Sequence, residues 1–374
     1  MLLGTLCIVA CQKDPYQDFE GEEVNVSGIN TFASTLYVLS EGVMGTNSAT
    51  LDALSFAGGT FRTNVFGMAN DYEPLGDVGN DIAVHGNEVW MVINNSGIVE
   101  VISTDDGREI AAIQVPTPRN IAFDDHYAYV TSWAGAYAEY SYDENWNAVL
   151  GNYLNPKGCV YRINLSTKKI EGSPLEVGYQ PEGIACSGGK LYVANSGGIS
   201  SQLPPSYSYD KTVSVIDAPS FTVSKTIDVS VNLKNVYASG DGRIYVTSLG
   251  NYYDVHSALW MIDKDGSVKH IEDYVSVSAI YGNTVYCYGT EQEFDWYAAS
   301  KTYKSWACKS GVKVDWDFKP QATTPYGLFA LNNEVFFLGD AYDYYGPGTV
   351  SCYKNGSQLW SVVSGVCPGH FAVK

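Results

Sequence analysis

A short segment recurs along the chain, and this repetition constrains the fold more than any other feature of the sequence. The clearest copies are PEGIACSGGKLYVANSG from Pro181, PRNIAFDDHYAYVTSW from Pro118, NVYASGDGRIYVTSLG from Asn235 and YGLFALNNEVFFLGD from Tyr326. Weaker copies begin at Asn80 and Ser278. Each copy reads as an apolar strand, a turn rich in Gly, Asn or Asp, and a second strand. Repeats of this kind bury a core only when stacked, so a repeat architecture is predicted.

A second pair of strands follows each copy of the segment. Examples are GIVEVISTDDGREIAAI from Gly97, TVSVIDAPSFTVSKTIDV from Thr212 and ALWMIDKDGSVKHI from Ala258. Their central Asp and Gly residues are typical of hairpin turns. Four antiparallel strands per unit form the blade of a β-propeller. Six complete units are predicted from about Gly79 to Gly365.

A seventh unit is divided between the two ends of the chain. The segments Thr35–Gly42 and Ala49–Phe66 supply its second to fourth strands, and PGHFAVK (Pro368–Lys374) matches the missing first strand. Pairing the two ends would close the ring and remove its free strand edges. The sequence therefore predicts an all-β fold, a seven-bladed β-propeller of four antiparallel strands per blade, over residues 31–374.

Composition narrows the class of function. The chain has 374 residues and a formal net charge of −19, with no basic patch. Because phosphate contacts need clustered Lys and Arg, nucleic acid and anionic lipid headgroups are poor partners. The sequence also lacks the GxSxG, HExxH, phosphate-loop and GxGxxG motifs. We therefore expect a binding protein and no enzyme activity.

The N-terminal segment has the pattern of an export signal. Leu2–Ala10 is apolar but too short to span a bilayer, and it ends in Ile8-Val9-Ala10-Cys11. This resembles a bacterial lipobox, which implies a signal peptide over 1–10 and lipidation of Cys11. Residues 11–30 are polar and acidic and read as a tether; the alternative is a chance apolar start before an acidic tail. No Lys or Arg precedes the apolar run, which leaves open a start upstream of Met1.

The loops between second and third strands are long and rich in aromatic residues, whereas the turns between first and second strands are minimal. Aromatic side chains on loops suit ligand binding, because flat rings give contact area at a low entropy cost. The alternative is that these loops pack on one another as a lid. The predicted ligand-binding residues on the loops are Trp133, Tyr137, Tyr207, Tyr252, Tyr253, Trp296, Tyr297, Tyr344 and Tyr345, with Arg119, Glu182 and Tyr326 at the inner rim.

The inner rim is expected to be mostly neutral and hydrogen-bonding. Its members by alignment of the first strands are Asn80, Arg119, Asn120, Glu182, Asn235, Ser278, Tyr326 and His370. Such a ring suits a neutral ligand rich in amides or hydroxyls, or it simply hydrates the mouth of the channel. The loop acids lack the alternating spacing of a calcium loop, so no metal is predicted. Cys287 and Cys308 fall on neighbouring strands, which leaves open a disulfide or two buried thiols.

The motif LYVANSG, together with YVTS at Tyr129 and Tyr245, resembles the YVTN-type repeat of surface-layer and YncE-like propellers. With the lipobox, the acidic tether and the aromatic loops, the chain resembles the cobalamin-capturing surface lipoproteins of gut Bacteroidetes, the BtuG type. The resemblance implies a lipid-anchored outer-membrane protein that faces the cell exterior. It also implies binding of cobalamin (vitamin B12) as a transported ligand and its transfer to a TonB-dependent transporter. The alternatives are a glycan- or protein-binding surface propeller and a metal-dependent lactonase or lyase.

Overall fold

The protein is built of antiparallel sheets arranged around a central axis. The computed structural model describes residues 14, 16–135, 138–142, 144, 148–153, 157–197, 209–295 and 300–374, with the backbone alone for 138–142 and 148–153. Within these residues the only α-helix is Val65–Ala69, and the other regular elements are strands. Seven blades, each built on four antiparallel strands, form the ring, which confirms the predicted all-β, seven-bladed propeller.

Five blades follow one plan, in which four consecutive strands pair in chain order from the axis outward. Blade two consists of Gly79–His85, Glu88–Ile93, Ile98–Ser103 and Glu109–Gln114. Blade four consists of Pro181–Ser187, Lys190–Asn195, Thr212–Asp217 and Thr222–Asp228. Blade five consists of Leu233–Ala238, Ile244–Ser248, Ala258–Ile262 and Val268–Asp273. Blade six consists of Val277–Tyr281, Thr284–Gly289, Lys304–Lys309 and Val312–Val314. Blade seven consists of Pro325–Ala330, Val335–Asp340, Thr349–Lys354 and Ser357–Val363.

Blade three carries an elaboration of this plan. Its inner strands are Pro118–Phe123, Tyr127–Ser132 and Lys157–Asn164. The outer strand is divided into Lys169–Ile170 and Leu175–Tyr179, and both parts pair with the third strand. The loop between its second and third strands contains a separate hairpin of Ala138–Tyr142 and Ala148–Tyr153.

Blade one joins the two ends of the chain, as the sequence predicts. Its strands from the axis outward are Pro368–Val373, Thr35–Ser40, Thr50–Ser55, Thr60–Arg62 and the short Glu22–Glu23. Leu36 pairs with Val373 and Leu39 with His370. These strand hydrogen bonds close the ring, because they pair the inner side of Thr35–Ser40 with the C-terminal strand.

The hydrophobic cores lie between blades. All six residues of Thr35–Ser40 are buried, because both faces of the strand are covered. Leu36 and Val38 pack toward blade seven, whereas Tyr37 and Leu39 pack toward blade two. Side chains alternate between the faces of a strand, so an uninterrupted apolar strand can serve two neighbouring cores at once.

The N-terminal segment packs on blade one. Tyr16 is buried in the core between blades one and two, and the Asp14 carboxylate lies 2.9 Å from the Arg62 guanidinium. Glu22 and Glu23 pair with the outer strand of the blade. The chain is therefore already packed on blade one at Asp14, within the segment predicted as a tether and before the predicted boundary at residue 31.

The cysteines of the propeller body are free thiols in the described residues. Cys287 pairs across the strands with Trp306, and Cys308 pairs with Val285, so the two cysteines are diagonal neighbours. Diagonal positions lie roughly 7–8 Å apart, beyond the usual reach of a disulfide. Both thiols are buried in the core between blades five and six, the second of the two readings that the sequence left open.

Candidate functional site

The two faces of the propeller differ in the length of their loops, as the sequence predicts. On one face, first and second strands are joined by turns as short as Gly188-Gly189 and Gly282-Asn283. The opposite face combines the connections between blades with the loops between second and third strands. The longer of these loops span 133–156, 196–211, 249–257, 290–303 and 341–348. We call this opposite side the loop face.

A β-bulge at the start of the first strands turns side chains toward the mouth of the central channel. In blade three, Pro118 pairs with Ser132 and Ile121 with Val130, so Arg119 and Asn120 share one position of the partner strand. The first strand of blade six pairs without such a shift. The bulge residues of the other blades are Gly369, Asn80, Arg119, Glu182, Lys234 and Tyr326. Bulges re-aim side chains in this way next to many active sites, and we call these residues the rim.

The residue before the bulged strand adopts a left-handed backbone in several blades. These residues are Val78, Thr117, Gln180, Asn232 and Cys367, with φ between 38° and 64°. None is glycine, although this conformation is unfavourable for residues with a Cβ atom. The strain recurs at equivalent places around the ring, so it belongs to the turn that leads each blade into the rim.

Arg119 connects blades three and four at the rim. Its Nη2 atom lies 3.0 Å from Glu182 Oε2, and its Nε donates to the same oxygen at 3.1 Å. The guanidinium carbon stands 4.5 Å from the ring centroid of Trp133, a cation–π distance. Asn80 Nδ2 donates to the Arg119 carbonyl oxygen at 2.8 Å. The structure thus brings together the predicted residues Arg119, Glu182 and Trp133.

Glu41 forms a second polar cluster with two residues of the inner strands. The Tyr326 hydroxyl donates to Glu41 Oε2 at 2.7 Å, and His370 Nε2 lies 3.2 Å from Glu41 Oε1. Burial would raise the pKa of Glu41, but the hydrogen bonds and charge of its neighbours outweigh it and lower that pKa. Burial and the Glu41 charge raise the pKa of Tyr326 well above its usual range. At neutral pH the cluster therefore holds a carboxylate against a protonated tyrosine.

Four of the predicted loop tyrosines are open to solvent on the loop face. Tyr252 and Tyr253 are 40% and 57% exposed, and Tyr344 and Tyr345 are 53% and 77% exposed. The Tyr344 ring meets the edge of Tyr326 with centroids 5.9 Å apart. Burial raises the pKa of Tyr252, and the charge of Glu182 adds to the increase. Apolar rings and hydrogen-bonding groups thus meet at the mouth.

The backbone holds these tyrosines in fixed positions. Tyr252 and Tyr344 have φ of 58° and 69°, a rare conformation for bulky residues. Asn251 Oδ1 accepts from the backbone of Tyr253 at 3.0 Å, and Asp343 Oδ1 accepts from that of Tyr345 at 2.9 Å. Such side-chain caps stabilise tight turns. The backbone that carries the rings is therefore preorganised, which reduces the entropy lost when a ligand binds.

The remaining predicted site residues, Tyr137, Tyr207, Trp296, Tyr297 and the lipidation residue Cys11, lie outside the described residues.

The rim is more charged than the sequence analysis predicts. Asn120, expected at the rim, hydrogen-bonds Asp81, and the Ser278 hydroxyl lies 2.9 Å from the Tyr237 hydroxyl. The alignment missed Lys234 because the bulge displaces the strand by one residue and presents Lys234 in place of Asn235. It missed Glu41 because that residue follows a second strand. Lys234 could have been predicted from the sequence, because it aligns with Arg119 and Glu182.

The acidic loop residues mainly cap backbone amides. Glu293 Oε2 accepts from the Ser257 backbone at 3.1 Å and lies 3.2 Å from His256 Nδ1. Asp340 accepts from the backbones of Thr323 and Thr324 at 2.7 and 2.8 Å. Within the described ranges, no group of three His, Cys, Asp or Glu side chains is placed to hold a metal ion. These carboxylates stabilise the loops that carry the tyrosines.

Comparison with known proteins gives matches to solved structures but not to sequence families. No family model matches the sequence, and no curated protein matches it. In the described part of the chain, no helix has the length and apolarity needed to cross a membrane.

Three solved structures share the fold at low sequence identity. Hydrazine synthase of Kuenenia stuttgartiensis is 14% identical with a TM-score of 0.56, over 78% of this chain and 88% of that chain. A functionally unknown protein from Desulfotomaculum acetoxidans is 13% identical with a TM-score of 0.56, over 91% and 99% of the two chains. The computationally designed Ika8 protein is 10% identical with a TM-score of 0.53, over 95% and 97%. These likenesses support the β-propeller fold.

Proposed function

We propose that this protein captures cobalamin on its loop face at the outer-membrane surface and passes it to a TonB-dependent transporter. In this proposal the protein is anchored through lipidated Cys11, faces the cell exterior and carries out no chemical reaction. The observation that supports a bound ligand most directly is the set of exposed, preorganised tyrosines beside a polar rim. The sequence resemblance supplies the choice of cobalamin.

The chemistry of cobalamin is compatible with this face. Its corrin ring is large, and the edge of the ring carries amide groups. The rings of Tyr252, Tyr253, Tyr344 and Tyr345 offer apolar contact area. At ~25 cal/mol per Å² of apolar area, a few hundred Å² contribute several kcal/mol before the costs of binding. Side chains such as Asn80 and Glu182 can pair with ligand amides.

The state of the rim favours binding over proton transfer. Tyr326 remains protonated because its hydroxyl is buried and donates to the Glu41 carboxylate. A tyrosine whose pKa is raised in this way is a poor general base, although it is an effective hydrogen-bond donor. The Arg119 guanidinium is likewise engaged by Glu182 and Trp133.

A glycan-binding surface propeller is the second candidate, because exposed tyrosine rings also form platforms for sugars. Retardation on affinity gels that contain plant or host polysaccharides would support it. If the protein were a metal-dependent lactonase or lyase, the purified protein would hold metal tightly and would hydrolyse compounds in a lactone panel.

Cobalamin capture is tested by mixing the purified full chain with cyanocobalamin and desalting the mixture. We expect the red colour to elute with the protein, since preorganised aromatic contacts favour tight binding. A colourless protein fraction at micromolar protein and vitamin concentrations would contradict the proposal.

Removing two loop rings should weaken this binding. In the double variant Tyr252→Ala/Tyr253→Ala, we expect the Kd for cyanocobalamin to rise at least about tenfold, since a binding aromatic contributes about 1–2 kcal/mol. Isothermal titration calorimetry measures the change. Tyr281→Ala is the matched control, because Tyr281 is 41% exposed but belongs to the opposite face. Equal affinities for both variants would place the ligand elsewhere.

Lipidation at Cys11 is tested by substitution. Cys11→Ala, expressed in a Gram-negative host, is expected to lose incorporation of radiolabelled fatty acid and to leave the membrane fraction. The control is Cys7→Ala, because Leu6 before Cys7 is too large for the lipobox position, and it should remain membrane-bound. If the Cys11→Ala variant still incorporated radiolabelled fatty acid, Cys11 would not be the lipidated residue.

A further inference from the structure

Lys234 carries a rim charge that has no ion-pair partner within 4 Å among the described residues. The other charged groups at the mouth have partners: Arg119 pairs with Glu182 of the neighbouring blade, and Glu41 lies 3.2 Å from His370 of its own blade. Lys234 is exposed, although Leu233 before it is buried. An exposed lysine on a protein surface is ordinary, so its position in the ring decides whether it has a role.

The geometry of blade five directs Lys234 over the mouth. Leu233 pairs with Ser248 and Val236 with Val246, so the bulge presents Lys234 as it presents Arg119 in blade three. The positive charge of Lys234 also contributes to the lowered pKa of Glu41. Glu41 belongs to blade one, with blades six and seven between it and blade five. The exposed Lys234 side chain therefore starts from the position in blade five that Arg119 holds in blade three.

Tyr252 adds an aromatic surface beside this cation. The tyrosine stands on the second-to-third-strand loop of blade five, and its hydroxyl hydrogen-bonds Asn232, two residues before Lys234. An ammonium donor and an aromatic ring therefore project from one blade at the mouth. This pair could hold a charged group attached to a larger apolar body.

We propose that the ligand of the loop face carries an anionic group and that Lys234 binds this group. The inference rests on the proposed capture function and adds the charge of the ligand. A chain with a net charge of −19 repels anions over most of its surface, so a local cation at the mouth is needed to accept one. Hydrogen bonds from an ammonium group to phosphate or carboxylate oxygens are charge-assisted and stronger than neutral ones.

Two sources of this anion fit the site. Cobalamin contains a phosphodiester in its nucleotide loop, whereas an acidic glycan contains uronate carboxylates. Cobinamide has the same corrin ring as cobalamin but lacks the nucleotide and its phosphodiester. Comparison of cobalamin with cobinamide therefore isolates the contribution of the anion from that of the ring.

The test measures the Kd of the full chain and its Lys234→Gln variant for cyanocobalamin and for dicyanocobinamide by calorimetry. We expect the wild-type protein to bind cobalamin about tenfold more tightly than cobinamide, and Lys234→Gln to lose that difference without weakening cobinamide binding. Lys234→Arg keeps the charge and should retain most of the preference. Lys309→Gln, at an exposed lysine of the opposite face, is the matched control.

The outcomes separate this inference from the proposed function. If the wild-type protein binds both corrinoids equally, or if Lys234→Gln still prefers cobalamin to cobinamide, Lys234 does not bind the anion. The proposal of cobalamin capture is not contradicted by either result. If neither corrinoid binds, cobalamin capture is wrong, and polygalacturonate is the remaining probe. Weaker retardation of Lys234→Gln than of wild type on a polygalacturonate gel would then support the anion site. No retardation of the wild type, or equal retardation, would overturn it.

Discussion

A chain that ends at Cys367 is expected not to fold. The truncation removes Pro368–Val373, the innermost strand of blade one, and leaves Thr35–Ser40 with an unpaired backbone in a buried position. Each buried backbone group without a partner costs about 1–3 kcal/mol. The lost packing of Ala372 in the core between blades one and two adds to this cost. Five residues of Thr35–Ser40 pair with the removed strand, so the total reaches the roughly 5–15 kcal/mol by which native proteins are stable.

The measurement is the soluble yield of the truncated chain, with its circular dichroism spectrum and thermal unfolding. Adding a synthetic peptide of residues 366–374 should restore a cooperative transition, because the strand needs no covalent link to pair with Thr35–Ser40. The same peptide with Ala372→Asp is the control and should fail, since it places a charge in the core. A truncated chain that melts at the wild-type temperature without peptide would contradict closure of the ring by this strand.

Glu100→Gln is expected to stabilise the protein above neutral pH. Glu100 is 3% exposed and lies between Ile98 and Ile102 on the face of its strand that packs toward blade one. Its Oε1 atom has no hydrogen-bond partner in the described part of the chain. Burial, with a smaller effect of the Glu109 charge, raises the pKa of Glu100 to about 8. Glutamine has nearly the same shape and no charge to bury.

The direction of the pH dependence follows from this raised pKa. Below pH 4.5, the ordinary pKa of the group, Glu100 is protonated in both folded and unfolded chains and costs nothing. As the pH rises from there to about 8, the unfolded chain ionises first, and the folded state loses stability progressively. The loss is complete above about pH 8 and reaches at most about 5 kcal/mol, from ~1.4 kcal/mol per pH unit.

Urea unfolding of wild type and Glu100→Gln from pH 4 to pH 9 checks this expectation. The two proteins should have similar free energies of unfolding near pH 4, and the variant should be more stable by a few kcal/mol at pH 9. Glu109→Gln is the matched control: Glu109 is exposed on the adjacent strand, so its removal should give a much smaller gain. A constant difference between wild type and Glu100→Gln at all pH values would contradict a raised pKa at Glu100.

Much of the fold is predictable from the sequence because a blade is a local structure. Consecutive strands pair through short turns, so PEGIAC and LYVANS of blade four predict their own hairpin. The split blade is predictable for a related reason: PGHFAVK matches PEGIAC, the first strand of blade four. The repeat pattern does not predict two features: the divided outer strand of blade three and the packing of Tyr16 against blade one.

The candidate site was predictable in part. Arg119, Glu182 and Tyr326 occupy the rim as the alignment indicates, because each lies in the bulge of its own first strand. Lys234 was missed because a one-residue shift decides which side chain faces the mouth. Glu41 was missed because it reaches Tyr326 and His370 only after the chain ends have met.

The sequence alone determined the number of blades, the pairing of the chain ends and the face on which the long aromatic loops lie. These follow from strand periodicity and turn chemistry, which act between residues close together in the chain. Only the tertiary structure decided that the rim charges Arg119 and Glu182 neutralise each other, and that Glu41 bridges Tyr326 and His370. Their electrostatics depend on distances between neighbouring blades and on burial, and both are set only when the ring closes.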